Sequence, residues 1–208
     1  MFDKIKKKEL YFSKVDNYCI IKKKVIKVII GIDIDDTITK TTEYAKMVFD
    51  SVNKNPNKHS YHDLELDDYW DFMEKYVLKI HKNVEVMPNA IRVIKDFKDR
   101  GWKIVLITAR AKIDSKLSFG EEDKVITKKY LEKHGIEYDE IVFSQKRKAN
   151  ACVNKNVDVY IDDREDLLDE VADAGIKTIW LTKKNVESSR HIIAKNWSEV
   201  KKIICGDD

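Results

Sequence analysis

Several residue types are scarce in this sequence. Proline occurs twice and glycine six times in 208 residues, which excludes collagen-like and low-complexity architectures. The three cysteines, Cys19, Cys152 and Cys205, are scattered and form no C-x-x-C pair. Neither a disulfide framework nor a thiolate metal site is signalled, and the usage points to a reducing, cytoplasmic compartment. No run reaches the ~18 apolar residues of a membrane span. The lysines near the start precede no apolar segment, so no secretory signal is expected. Arginine is also scarce, with six residues against 34 lysines. With 40 basic and 37 acidic side chains the net charge is only +3, which argues against a dedicated nucleic-acid binder. A membrane is not an expected partner, and the oligomeric state is left open.

Hydrophobic residues make up 43% and aromatics 10%, enough for one cored domain with an insertion. Residues 1–28 carry a net +6 and the remainder a net −3. Residues 1–26 therefore read as a solvated basic extension, with a short hairpin around 10–12 and 18–21. Beyond it, short β-branched runs at 27–34, 102–108, 140–143, 157–161 and 177–181 read as buried strands. Helical patterns separate them. One opens at Pro88 and stops at Gly101, one runs from about Asp123 to Gly135, one follows Lys148, and one stops at Gly175. A last helix is expected from about Ser188 to Ile204. This alternation predicts an α/β fold, a doubly wound Rossmann-like parallel sheet over 27–40 and 88–208. A small helical unit, 41–87, is inserted after the first strand.

In such sheets chemistry collects at the carboxyl ends of the strands. Four segments supply polar residues there: Asp33-Ile34-Asp35-Asp36-Thr37, Thr108-Ala109-Arg110, Ser144 to Lys148, and Asp162-Asp163-Arg164. Clustered carboxylates repel unless a cation binds them, and oxygen-only ligands select a hard ion, here Mg²⁺. A carboxylate beside such an ion can attack phosphorus, and a second can protonate the leaving oxygen and then deprotonate water. A hydroxyl and an ammonium suit the other phosphoryl oxygens. Arg110 reads equally as a substrate contact or a surface salt bridge. Cys152 reads as a packed helix residue.

The four motifs in this order resemble the haloacid dehalogenase superfamily of phosphohydrolases, over residues 27 to about 182. The resemblance implies that Asp33 is the nucleophile and a metal ligand. Asp35 would be the general acid/base, with its backbone carbonyl on the metal. Thr108 and the Ala109 amide would hold the phosphate, and Asp163 would be a direct metal ligand, with Asp162 and Asp166 behind it. The phosphate lysine is Lys146 or Lys148; spacing to the fourth motif favours Lys148. In that superfamily an insert at 41–87 is a cap that selects substrate. Its length, the Ile107-Thr108-Ala109-Arg110 motif and the ending Asn196-Trp197-Ser198-Glu199 are similar to the 5′(3′)-deoxyribonucleotidase branch and bacterial nucleotidases.

Within the insert, Leu66, Trp70, Met73, Val77 and Ile80 form one helical stripe, read first as core. Tyr69, Phe72 and Tyr76 form a neighbouring one. One of the rings Tyr69, Trp70 or Phe72 is a candidate to stack a nucleobase. The reading is thus a Mg²⁺-dependent phosphomonoesterase acting on a small phosphorylated substrate, a 5′-nucleotide. A polynucleotide 3′-phosphatase is the alternative, disfavoured by the insert's net −3; a generic small-molecule phosphatase is another. A non-enzymatic signalling receiver would lack both the insert and a need for Asp35.

Overall fold

A computed structural model describes residues 28–111, 120–186 and 189–206, together with the strands β1 (Lys14–Val15) and β2 (Tyr18–Cys19), which pair antiparallel. Of the hairpin expected near the N-terminus, residues 10–12 and 20–21 lie outside the described residues. The main sheet comprises β3 (Ile29–Ile32), β4 (Lys103–Ile107), β5 (Glu140–Val142), β6 (Val159–Asp162), β7 (Lys177–Leu181) and β8 (Ile192–Ala194). All five pairings are parallel, in the order β5-β4-β3-β6-β7-β8. This is the doubly wound α/β sheet that the alternating pattern predicts.

The period of two along each strand divides the core into two faces. Ile30, Ile32, Ile104 and Leu106 face α3 (Ala90–Asp99), α4 (Gly120–Lys133) and α7 (Trp197–Cys205), where Val93, Phe97, Leu131, Trp197 and Val200 are buried. Val105, Ile107 and Tyr160 face the opposite way, against Cys152 of α5 (Ala149–Asn154) and Leu168 and Val171 of α6 (Glu165–Asp173). Cys152 is fully buried, and burial pushes its thiol up to about 12, as suits a packing residue. Gly31 lies between Ile30 and Ile32, and a Cβ there would sit 2.8 Å from the Tyr160 ring. The missing side chain lets that large ring lie across the central strand beneath the site.

Register sets the site. Ile32 pairs with Leu106 and with Ile161, so β3, β4 and β6 end at nearly one level. The Asp33 amide continues the ladder by donating to Ile161 O at 3.0 Å, and the Thr108 amide donates to Val142 O at 3.0 Å.

Two expectations need correction. The C-terminal segment is not one helix: Ile192 to Ala194 enters the sheet as β8, and Trp197–Cys205 is helical. A three-residue apolar run cannot be assigned to strand or helix by periodicity. Asn196, whose side chain accepts from Glu199 N, marks the true helix start. Pro88 does not open its helix either. Asn89 adopts a left-handed conformation (φ 66°) as N-cap, and α3 begins at Ala90.

Residues 41–83 form α1 (Thr41–Val52), a short 3-10 turn (Tyr61–Asp63) and α2 (Leu66–Asn83). They have their own core of Ala45, Val48, Phe49, Tyr61, Phe72 and Ile80, in which Phe49 meets Phe72 edge-on at 5.7 Å. The chain leaves and re-enters the sheet domain through one neck. There the Lys40 amide donates to Glu85 O (2.9 Å) and the Met87 amide to Ile38 O (2.7 Å).

Candidate active site

Asp33 follows the last residue of β3 and is nearly buried. Lys148, at the start of α5, has its whole side chain buried and places Nζ 2.7 Å from Asp33 Oδ1, donating also to Ile107 O at 2.8 Å. A buried ammonium needs such partners. Lys146 is exposed and lines the neighbouring cleft, so of the two lysines it is Lys148 that meets Asp33. Asp162 ends β6 fully buried, accepting from the Tyr160 hydroxyl (2.9 Å) and the Arg164 amide (2.9 Å). Asp163 follows, half-buried, with the Thr37 hydroxyl donating to its Oδ1 at 3.3 Å.

Carboxylate oxygens of Asp33, Asp162 and Asp163 lie within 4.8 Å of one another. Burial and mutual repulsion act on all three. Burial raises Asp33 against the pull of Lys148, and Asp162 is driven well above the ordinary carboxylate range by burial and by Asp33. Asp163 is pushed up to about 7 by burial and by the charges of Asp33 and Asp36. An oxygen-only donor set that resists ionising together fits a hard divalent cation. Asp166 stays outside the cluster, exposed and paired with Arg164 at 2.6 Å. Asp162, expected behind the metal ligands, lies within the same group of carboxylates as Asp33 and Asp163.

Asp35 points away from this cluster. Its Oδ1 accepts from the Thr41 hydroxyl (2.7 Å) and from Arg110 Nη2 (2.7 Å), while Arg110 Nε reaches both oxygens at 3.0 and 3.1 Å. Burial would raise the Asp35 carboxyl, but Arg110, with help from His81, holds it well below the usual carboxylate range. Arg110 is therefore not a surface salt bridge: its side chain is fully buried against Asp35. Thr108 is buried too, its hydroxyl accepting from the Arg110 amide at 3.1 Å, and Ala109 is exposed at the rim.

A cleft of about 290 Å³ opens beside Asp35, walled by Ala109, Arg110 and Lys146 on one side and by Tyr69, Trp70, Met73 and Val77 of α2 on the other. Trp70, Met73 and Val77 of the stripe read as core thus line the cleft, while its Ile80 is buried in the helical core beside Phe72 of the second stripe, and its Leu66 is exposed. A larger hollow of about 890 Å³, on the side of Asp36 and Asp163, contains none of the α2 rings.

Sequence reasoning missed His81 and Asp123. Both are buried at the base of the cleft; His81 Nδ1 meets Asp123 Oδ1 at 2.7 Å, and Asp123 Oδ2 accepts from the Ala111 amide at 2.7 Å. His81 continues the Trp70–Met73–Val77 stripe by one helical step, which is the signal that could have found it.

Comparison with known proteins places the chain among phosphatases. A nucleotidase from Clostridium acetobutylicum is 28% identical over 190 residues, covering 84% of this chain and 92% of its own length. A haloacid dehalogenase-like hydrolase from Streptococcus pneumoniae superposes with a TM-score of 0.61 at 15% identity, covering 86% of this chain and 98% of that one. A haloacid dehalogenase-like hydrolase from Xanthomonas campestris gives 0.56 at 15% identity, covering 86% and 95%. These two structures share the fold of the sheet domain. The family model described as 5′ nucleotidase, deoxy (pyrimidine), cytosolic type C protein matches residues 26–206, nearly the whole described chain. The chain belongs to that family, and so to the phosphatases of the haloacid dehalogenase superfamily.

Proposed function

We propose that the protein is a Mg²⁺-dependent phosphomonoesterase that hydrolyses a small 5′-nucleotide through an aspartyl-phosphate on Asp33. The observation that carries this reading is the pairing of Asp33 with Lys148 inside a carboxylate triad, with Asp35 held apart on the cleft side. Lys148 engages Asp33 Oδ1, which leaves Oδ2 to attack phosphorus. Thr108, the Ala109 amide and Lys148 take the phosphoryl oxygens, over which transition-state charge is spread. Asp33, Asp163 and the Asp35 backbone carbonyl would hold the Mg²⁺, with Asp162 beside them. Bound there, the ion supplies positive charge against the carboxylates and the phosphoryl group.

As the ester bond to phosphorus breaks, Asp35 gives a proton to the leaving oxygen. It then takes one from the water that releases phosphate from Asp33. Arg110 favours the ionised form of Asp35, the form needed for the second step. A phosphate dianion entering beside it favours the protonated form needed for the first.

The 41–87 unit acts as a cap on the core of 27–40 and 88–208, and Tyr69 and Trp70 stack the base in the cleft. The family's cytosolic type and the reducing-compartment cysteine usage support a cytoplasmic setting. Among the described residues no helix is long and apolar enough to cross a membrane. The test is a panel of 5′- and 3′-nucleotides, ring-free phosphate esters and a 3′-phosphorylated oligonucleotide, with and without Mg²⁺. Preference for a mononucleotide supports the reading. Equal rates on ring-free esters reduce it to a general phosphatase, and preference for the oligonucleotide replaces it.

A further inference from the structure

Arg110 is a fully buried cation to which the chemistry above gives only a charge effect on Asp35. Its fork spends Nε and Nη2 on Asp35, while Nη1 has no hydrogen-bond partner among the described residues. The guanidinium is therefore oriented by Asp35 rather than shared among several acceptors. The two oxygens of Asp35 are treated unequally. Oδ1 receives Thr41 Oγ1, Arg110 Nη2 and Arg110 Nε, whereas Oδ2 receives only Nε, at 3.1 Å.

The base of the fork is itself fixed. The Arg110 amide donates to Thr108 Oγ1 (3.1 Å), and its carbonyl accepts from the Ser144 amide (3.0 Å). The next residue, Ala111, is held in a left-handed conformation (φ 59°) by Asp123, which His81 of α2 also grips. Arg110 thus hangs from the same short loop that carries Thr108, and it reaches across to Asp35 from there.

From this geometry we infer that Arg110 is a positioning residue: it saturates Asp35 Oδ1 and turns Oδ2 toward the leaving-group oxygen. The inference rests on the reading of Asp35 as the acid/base. The proton passes from Oδ2 to the leaving oxygen as the bond to phosphorus breaks, and a water proton returns to Oδ2 in the second step. Arg110 keeps its protons throughout. A misplacement of about 1 Å at such a group can cost about 10²-fold.

The test is a double-mutant cycle on the full chain with Mg²⁺. Native protein, D35N, R110M, R110K and D35N/R110M are compared in single turnover on a nucleotide and on p-nitrophenyl phosphate, whose leaving group needs little protonation. R110M is expected to lose about 10²-fold on the nucleotide with KM little changed, and less than about tenfold on the activated ester. R110K keeps a charge without the planar fork and should remain at least about tenfold below native. The double variant should be no slower than D35N, because Arg110 acts only through Asp35. Thermal melts accompany the kinetics. R110M leaves the half-buried Asp35 carboxylate without its counter-charge, whereas D35N/R110M removes both charges and keeps the cycle readable if R110M folds poorly.

Equal losses by R110M on both substrates would mean that Arg110 binds the phosphoryl group, and would overturn the inference. So would losses that multiply in the double variant, or a native rate in R110K. If D35N itself keeps full activity on the nucleotide, the acid/base reading falls first. If D35N is impaired and R110M is not, the inference alone falls.

Discussion

Metal binding and pH should be linked in a way that exposes the carboxylate triad directly. Asp163 rises from an ordinary 3.8 to about 7 in the folded, metal-free protein, through burial and the charges of Asp33 and Asp36. A carboxyl raised on folding binds its proton more tightly in the native state. The stability it contributes is complete below about pH 3.8 and is lost as pH climbs to about 7. Asp33 and Asp162 shift in the same direction, so the metal-free protein should melt lower at pH 8 than at pH 5.5. With Mg²⁺ the dependence should reverse, because the ligands must be ionised to bind. At a free concentration about 100 times the dissociation constant, binding adds about 2.7 kcal/mol. At about 2–4 °C per kcal/mol for a chain of this size, that is a rise in Tm of about 5–10 °C. The assay is a set of thermal melts from pH 5 to 8.5 in EDTA and in Mg²⁺. The difference should be small at pH 5 and largest at pH 8. Asp163→Asn should raise the EDTA melting point at pH 8 and abolish most of the Mg²⁺ shift. A shift that is independent of pH, or that persists in Asp163→Asn, would refute the reasoning.

The three candidate rings should separate by assay. Trp70→Ala or Tyr69→Ala should lower kcat/KM on a nucleotide by about tenfold to a hundredfold, from ~1–3 kcal/mol of stacking, while sparing a ring-free ester. Phe72→Ala opens a hole in the helical core, so it should cost ~3–5 kcal/mol in denaturant melts and affect both substrates alike. Gly31→Ala places a methyl 2.8 Å from the Tyr160 ring and should cost ~1–3 kcal/mol of stability, with activity per folded molecule reduced as Asp162 shifts with its tyrosine partner. Ca²⁺ should inhibit in competition with Mg²⁺, because its looser coordination misplaces nucleophile and phosphate; stimulation in a rate assay would count against the carboxylate site.

Five of the six strands of the main sheet were legible because each is a short β-branched run closed by turn chemistry, and their order brought four motifs to one rim. What escaped was decided by tertiary contact. Ile192–Ala194 is too short for its periodicity to speak, and it becomes a strand only because the β7 edge is there to pair with it. The two stripes of α2 differ by one helical step. Which one faces the site depends on how α2 leans against α1 and α4, and that angle is not written in the helix itself. Arg110 sits two residues after Thr108 in a loop, where an arginine is exposed more often than not. Only the approach of Asp35, 75 residues away in sequence, buries it. Asp123 likewise looks like an ordinary first-turn acid of α4 until His81 and the Ala111 amide converge on it.

The central claim is that the phosphoryl group passes through Asp33. It is tested most directly by quenching a single turnover of ³²P-labelled nucleotide in acid at early times and mapping the label by peptide mass spectrometry. Transient label on the peptide containing Asp33, absent from a folded and inactive Asp33→Asn protein, is the predicted result. Phosphate release at the native rate with no labelled protein at any time, or undiminished turnover by Asp33→Asn, would contradict it.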